Sequence, residues 1–277
     1  MESGLYVVAT PIGNLGDMTS RALAVLTAAD IVAAEDTRHT ARLLQHFSIT
    51  ATLLAYHEHS GERAQARILE CIAGGGVVAL VSDAGTPLIS DPGYRLVRDA
   101  QDAGHRVIPL PGPCAAIAAL SASGLPTDRF LFEGFLPAKA GARARRLQDL
   151  AAESATLVFY EAPHRVAETL QDMVTAFGDQ REALLARELS KTFETLKRAT
   201  LGDLAGFVAA DSNQQRGEIV LAVSGQRGRD EALTPDVTRM LLRLAEELPA
   251  KRASAVVADL TGLRKKVLYD YLLGQKG

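Results

Sequence analysis

The chain has no tryptophan and only eight phenylalanines and six tyrosines. So few rings exclude an extended aromatic platform on which single-stranded bases could stack. Its two cysteines, Cys71 and Cys114, stand in helix-like apolar stretches. Buried free thiols are expected rather than a disulfide, as in a reducing cytoplasm. No apolar run approaches the roughly 20 residues of a membrane-spanning helix, so no membrane contact is expected. Met1-Glu2-Ser3-Gly4 enters a strand-like segment without a basic leader, and no secretory signal is expected. The net charge of −3 lacks the positive excess that announces many nucleic-acid binders.

The charge that is present is unevenly placed. Lys139, Arg143, Arg145 and Arg146 fall within eight residues that contain no acid. Near the C-terminus Lys251, Arg252, Arg264, Lys265 and Lys266 stand against Asp259 and Asp270. Such patches can hold phosphate in a slightly acidic chain, although solvated helix faces carry the same pattern.

At 277 residues the chain exceeds the usual size of one core. Leu5–Ala9, Ile31–Ala34, Thr52–Ala55, Val77–Val81 and Arg106–Leu110 are short apolar runs separated by helical patterns such as Ser20–Ala29, with Asp17 or Thr19 as its cap. This alternation predicts an α/β domain with a largely parallel sheet. Pro109-Leu110-Pro111-Gly112-Pro113 fits neither a helix interior nor a central strand, so a first domain is expected over 1–112. In 113–225 a helix over Ala115–Ser123 precedes strand-like runs at Phe130–Phe132, Thr156–Tyr160, Ala183–Ala186 and Glu218–Val223. Phe193–Arg198 and the segment after it suggest a hairpin, and mixed pairing is expected. Beyond the polar stretch Gly225–Arg229 the pattern is helical only, and Thr261-Gly262 separates its last two helices in helix-turn-helix fashion. The fold class expected is α/β: two α/β domains with a cleft between them, and a small helical domain over 230–277.

Three loops follow predicted strands and are dense in glycine and proline. They are Ala9–Gly16, Ser82–Gly93 (SDAGTPLISDPG) and Pro111–Ala116. Such backbone takes unusual paths and lets a ligand approach the main chain closely. In open α/β sheets ligands bind at this strand-exit edge. Neither GxGxxG nor a phosphate-loop lysine is present, so the dinucleotide and NTPase classes are not supported. His57-Glu58-His59 has no further histidine or cysteine to complete a metal set, and no metal is expected.

Thr10-Pro11-Ile12-Gly13-Asn14-Leu15-Gly16-Asp17, Glu35-Asp36-Thr37-Arg38, Ser82-Asp83-Ala84-Gly85-Thr86-Pro87, Pro111-Gly112-Pro113 and Tyr160-Glu161-Ala162-Pro163-His164-Arg165 resemble, in order and in length, motifs of the tetrapyrrole methylase superfamily, in its branch that modifies ribosomal RNA. The resemblance runs from about Leu5 to Val223, with a matching helical tail. It implies an S-adenosylmethionine-dependent enzyme with its cofactor between two α/β domains. The implied substrate is the ribose 2′-hydroxyl of a cytidine in the decoding region of 16S rRNA, in the small ribosomal subunit. A cytoplasmic homodimer is implied as well.

The resemblance assigns cofactor binding to Pro11, Asp83, Gly85, Thr86, Pro87, Ile89, Cys114 and Ala115, and, from the second domain, to Phe159, Tyr160, Ala186, Glu218 and Ile219. It assigns RNA contact to Lys139, Arg143, Arg145 and Arg146. Arg38, Arg165 and Arg187 lie in or beside the motifs, and arginine suits phosphate. A general base would help a weakly acidic hydroxyl to react. Candidates are Glu35, Asp36, Glu161, Glu188, and Lys191 if burial makes it neutral. Glu188 and Lys191 equally suit an ordinary ion pair, and the sequence does not choose among the five. Two other functions are open: a small-molecule methylase of the same superfamily, and a non-catalytic RNA-binding assembly factor.

Overall fold

The computed structural model describes residues 1–57, 62–226, 233 and 235–274. Two compact units comprise Met1–Gly225 and Gln226–Gly277. Glu58 and His59 of the histidine pair, and 227–229 of the polar stretch, lie outside the described residues.

The larger unit holds two five-stranded sheets. The first contains β1 (Gly4–Val8), β2 (Ile31–Ala34), β3 (Leu53–Ala55), β4 (Val77–Val81) and β5 (Val107–Leu110). Its order is β3-β2-β4-β1-β5 and every pair is parallel. Its central strands are apolar throughout because both faces are covered. On one face Val8, Val32, Ala79 and Val81 meet Ala22, Val25 and Leu26 of α1 (Ser20–Ala28) and Leu44 of α2 (Thr37–His46). On the other, Leu5, Ala33, Val78 and Leu80 meet Ile68 and Ile72 of α3 (Glu62–Ala73) and Leu96 of α4 (Tyr94–Asp102). Of the two expected caps Thr19 serves α1, accepting from the Ala22 N–H at 3.1 Å.

The second sheet contains β6 (Phe130–Phe135), β7 (Thr156–Glu161), β8 (Glu182–Arg187), β9 (Thr195–Thr200) and β10 (Ile219–Val223). Its order is β6-β7-β10-β8-β9, with β6 and β7 parallel and the other pairs antiparallel. One face packs on α5 (Ala115–Ala122), the other on α6 (Ala140–Leu150), α7 (Val166–Phe177) and α8 (Leu201–Ala210). The expected hairpin exists, but with a different partner. The strand beginning at Thr195 pairs back onto β8, and the residues after it form α8.

The smaller unit is helical: α9 (Pro235–Glu247), α10 (Ala250–Thr261) and α11 (Lys265–Gly274). They share a core of Leu241, Ala253, Val257, Leu268 and Leu272. Gly262 ends α10 at φ 72°, as the Thr261-Gly262 turn requires.

Helix α6 corrects one expectation. Its buried stripe is Arg143, Leu147 and Leu150, spaced i, i+4, i+7, so Arg143 faces the interior instead of RNA. Its side chain is 2% exposed. Its Nε donates to Asp172 at 2.6 Å, and an Nη donates to Glu168 at 3.3 Å. The guanidinium thus fastens α6 to α7. Arg143→Ala, which leaves Asp172 and Glu168 unpaired over a hole, is expected to cost about 2–4 kcal/mol. Urea denaturation checks this, and a loss below about 0.5 kcal/mol, the surface-substitution range, would contradict the pairing.

Candidate active site

Since the first sheet is parallel throughout, the loops after β1, β2, β4 and β5 leave one edge together. Hydrogen bonds join three of them. Thr10 and Gly85 exchange both backbone hydrogen bonds at 2.9 Å, linking the loop after β1 to the loop after β4. The Thr86 hydroxyl donates to the Pro113 carbonyl at 2.8 Å, linking the loop after β4 to the one after β5. The second sheet is tied in by Tyr160, whose hydroxyl accepts from the Ala116 N–H at 3.2 Å. Phe132 and Phe135 hold that ring edge-on, with centroids 5.0 and 5.7 Å away.

These segments enclose a cavity of about 420 Å³, lined from both halves. Its walls are largely apolar, with Ile12, Ile89, Ala115, Tyr160, Ala186 and Val220 among them, while Glu35, Asp83, Asp91 and Glu218 supply carboxylates. Volume and lining suit a small-molecule site, typically about 300–1,000 Å³ with few polar groups. Facing turns of the two halves carry strained backbone. Leu88, Ser90, Glu188 and Ser190 have positive φ, and they are four of the five such non-glycine residues described.

Of the residues expected to bind cofactor, Asp83, Thr86, Ile89, Ala115, Tyr160, Ala186, Glu218 and Ile219 line this cavity. Gly85 holds the bridge to Thr10, and Pro87 is buried outside the lining. Pro11 and Cys114 line two neighbouring cavities instead. Phe159 is a correction. Side chains alternate along β7, so Phe159 packs with Leu157 against α6–α8 while Val158 and Tyr160 face the α5 side.

The base candidates separate as clearly. Asp36 caps α2 through the Arg38 N–H and pairs with the Arg38 guanidinium, which holds its carboxyl well below the ordinary range. Glu161 is fully buried and spent on Arg165, Thr169 and the Ala162 N–H. Glu188 accepts from Lys191 at 2.8 Å and from the Glu218 N–H at 3.0 Å. Burial alone would raise the Glu188 pKa, but these bonds outweigh it and the pKa is lowered. Gly217, at φ 80°, makes room for this carboxylate: a Cβ there would collide with Glu188 Oε1. Lys191 qualifies as a base only if burial makes it neutral, and that condition is not met. Burial would lower its pKa, but Glu188 and Glu218 raise it, so the ammonium stays charged. Glu35 alone of the five faces the cavity with its carboxylate free of a cationic partner among the ion pairs described.

Among the expected RNA contacts, Lys139, Arg145 and Arg38 are exposed, Arg38 while paired with Asp36. Arg146 is exposed as well, but its guanidinium is bidentate with Glu133. Arg165 is committed to Glu161. Arg187 is buried and donates to the Phe193 carbonyl and to Thr195. It braces the β8–β9 connection and is not on the surface.

Residues 4–205 match the family described as tetrapyrrole (corrin/porphyrin) methylases, and 231–276 match the RsmI C-terminal HTH domain. A protein of Pseudomonas aeruginosa named ribosomal RNA small subunit methyltransferase I is 56% identical over 275 residues, covering 99% of this chain and 98% of the relative. One of the same name from Escherichia coli O157:H7 is 53% identical over 273 residues, covering 99% and 96%. Among solved structures, the methyltransferase CobJ superposes with a TM-score of 0.59 at 21% identity, covering 81% of this chain and 95% of that one. Uroporphyrin-III-C-methyltransferase from Thermus thermophilus gives 0.56 at 22% identity, covering 79% and 93%. At such identities these two structures share the fold.

Asp91 carries no expectation from the sequence analysis, although it stands in the same constrained loop as Asp83. Burial, with Glu35 and Asp83 adding to it, pushes its carboxyl up to about 6 against the hydrogen bond from Ser82. Glu35 is raised too, by burial and then by Asp83. The unfolded chain releases the Asp91 proton near about 4, whereas the folded protein holds it to about 6. Stability from this group is therefore full at low pH and declines as pH rises between those values. Asp91→Asn is expected to raise the melting temperature by about 2–4 °C at pH 8 and to leave it nearly unchanged at about pH 3, below both values. Equal shifts at both pH values would remove the carboxylate interaction from the account.

Proposed function

We infer the activity from membership: this chain belongs to the tetrapyrrole methylase family, in its ribosomal RNA small subunit methyltransferase I group. We propose that it methylates ribosomal RNA of the small subunit from S-adenosylmethionine, the acceptor being the 2′-hydroxyl of a decoding-region cytidine. The observation that carries this is the cavity of about 420 Å³ where the three linked loops meet the second sheet, apolar at its walls and acidic at one side. Apolar walls with small side chains such as Ala115 and Ala186 fit an adenosine. Carboxylates fit a ligand that carries a sulfonium and an ammonium. Thr86, Ile89, Ala115, Tyr160 and Ala186 would hold the cofactor. When bound, it supplies an electrophilic methyl: the new C–O bond forms as the C–S bond breaks, and the electron pair stays on sulfur.

The protein's own part is to orient, to exclude water and to take a proton. Linked loops present a fixed wall, and fixed alignment can contribute roughly 7–11 kcal/mol to such displacements at best. The hydroxyl proton passes to the Asp91 carboxylate, on which the charges of Glu35 and Asp83 act. Like charges confined together hold a proton more firmly than one exposed carboxylate does. A carboxyl at about 6 is mostly ionised at neutral pH yet basic enough to assist. A tetrapyrrole substrate is less well supported, because uroporphyrin-III-C-methyltransferase matches at only 22% identity, against 56% for the Pseudomonas aeruginosa ribosomal RNA small subunit methyltransferase I. A purely binding role leaves the cavity without a use.

Unmethylated small ribosomal subunits incubated with the protein and labelled S-adenosylmethionine are expected to yield 2′-O-methylcytidine by nucleoside mass spectrometry. Label on a base, or none, would reject the proposal. Single-turnover rates should rise with pH through about 6, and Asp91→Asn should lower the plateau roughly 100-fold. The exposed pair Lys139 and Arg145 serves RNA contact in this proposal. Replacing both by alanine is expected to reduce the salt slope of RNA binding by about 2 without changing cofactor affinity, measured by titration at several salt concentrations. An unchanged slope would take this segment out of the interface.

A further inference from the structure

A second cavity of about 270 Å³ adjoins the large one. The two share Ile12, Asp83, Ala84 and Glu218 as a common partition. Pro11, Leu15 and Leu43 give the smaller one apolar sides, and His39 and Lys191 give it polar ones. A group seated there lies next to whatever fills the larger cavity, across one layer of side chains.

Lys191 and Glu218 both line this space and are paired, Nζ to Oε2, at 3.1 Å. Lys191 is held in place from two directions. Its ammonium also donates to Glu188 at 2.8 Å. Its aliphatic chain crosses Gly13, where a Cβ would collide with Lys191 Cγ. The result is a fixed donor with an acceptor beside it at the mouth of a small apolar recess.

That pair complements one pyrimidine edge better than the other. Cytosine offers its N4 amino group as donor beside its ring acceptors, and a carboxylate accepts from N4. Uracil turns a carbonyl oxygen to the same point, where Glu218 would repel it. Bases on which enzymes act are commonly taken out of the stack and read along this edge in a pocket.

We propose that the smaller cavity receives the base of the target nucleotide, and that Glu218 with Lys191 selects cytosine over uracil. Apolar contact from Pro11, Ile12 and Leu43 covers the ring, and the ribose lies at the partition beside Asp83. This rests on the RNA methyltransferase activity proposed above, and deepens it by naming where the nucleotide sits and what reads it.

Leu43 and Glu218 provide the tests, on RNA carrying cytidine or uridine at the target position. Wild-type protein is expected to favour cytidine by roughly tenfold or more in kcat/KM. Glu218→Gln, whose amide can both donate and accept, should bring that ratio to within threefold by slowing cytidine. Leu43→Trp fills the recess, so methyl transfer should fall at least tenfold. Leu43 does not line the larger cavity, so S-adenosylhomocysteine affinity by calorimetry should stay within threefold in Leu43→Trp. That calorimetric result also shows that the variant is folded.

An unchanged cytidine preference in Glu218→Gln overturns the selection, and full methyl transfer by Leu43→Trp overturns the placement. The Glu218 side chain is largely exposed, so its variant tests the proposal even if the tryptophan disrupts folding. A wild-type protein that methylates neither RNA overturns the activity itself. One that methylates both equally overturns only the inference drawn here.

Discussion

Everything at the candidate site depends on how three loops are held together. Loops of this composition would be free to splay from a sheet edge, because glycine adds freedom and proline removes donors. Two exchanged backbone bonds between Thr10 and Gly85, and one hydroxyl bond from Thr86 to Pro113, convert them into a single wall. Each such bond contributes only about 0.5–1.5 kcal/mol net. Their value lies in removing alternatives, so that small side chains and main chain line the cavity in one arrangement.

Strain and charge are concentrated at the same place. Leu88 and Ser90 on one side, and Glu188 and Ser190 on the other, adopt left-handed backbone, at about 1–3 kcal/mol each. The surrounding contacts must offset that cost. Glu188, for example, is fastened by Lys191 and by the Glu218 N–H, over a glycine that leaves it space. The grouping of Glu35, Asp83 and Asp91 is a second cost, because ionising like charges in a half-buried cleft is unfavourable. The same circumstance raises the Asp91 carboxyl to about 6, a proton affinity that an isolated surface carboxylate lacks. Both costs fall at the cavity that the proposed function uses.

The basic segment shows how one helix serves two ends. Four cations in eight residues look alike in a sequence, but the turn of α6 sends them to different surroundings. Arg143 falls on the stripe shared with Leu147 and Leu150 and becomes a buried fastening to α7. Arg146 meets Glu133 on the neighbouring strand, while Lys139 and Arg145 remain outside. Local charge density thus divides into interior structure and surface potential, and only the latter is available to phosphate.

The sequence by itself determined the order of strands and helices, the parallel first sheet, and the convergence of the constrained loops on one edge. Apolar runs covered on both faces and proline-glycine breaks are local signals, written in neighbouring residues. It also carried the family, through motifs too long to arise separately. Only the tertiary structure decided which side chains face the cavity. Phe159 and Tyr160 are adjacent and equally aromatic, yet the pleat sends one to the core and the other to the cleft. Glu35, Asp36 and Glu161 are carboxylates in motifs and Glu188 is one outside them, but a cap, an arginine and a lysine claim all except Glu35. Asp91 gains its character from burial and from the charges of Asp83 in its own loop and of Glu35, which is far away in the chain. Arg38, Arg165 and Lys191 stand only two to four residues from the carboxylates they claim, yet whether near neighbours meet depends on the path of the backbone, and burial depends on segments brought together in space.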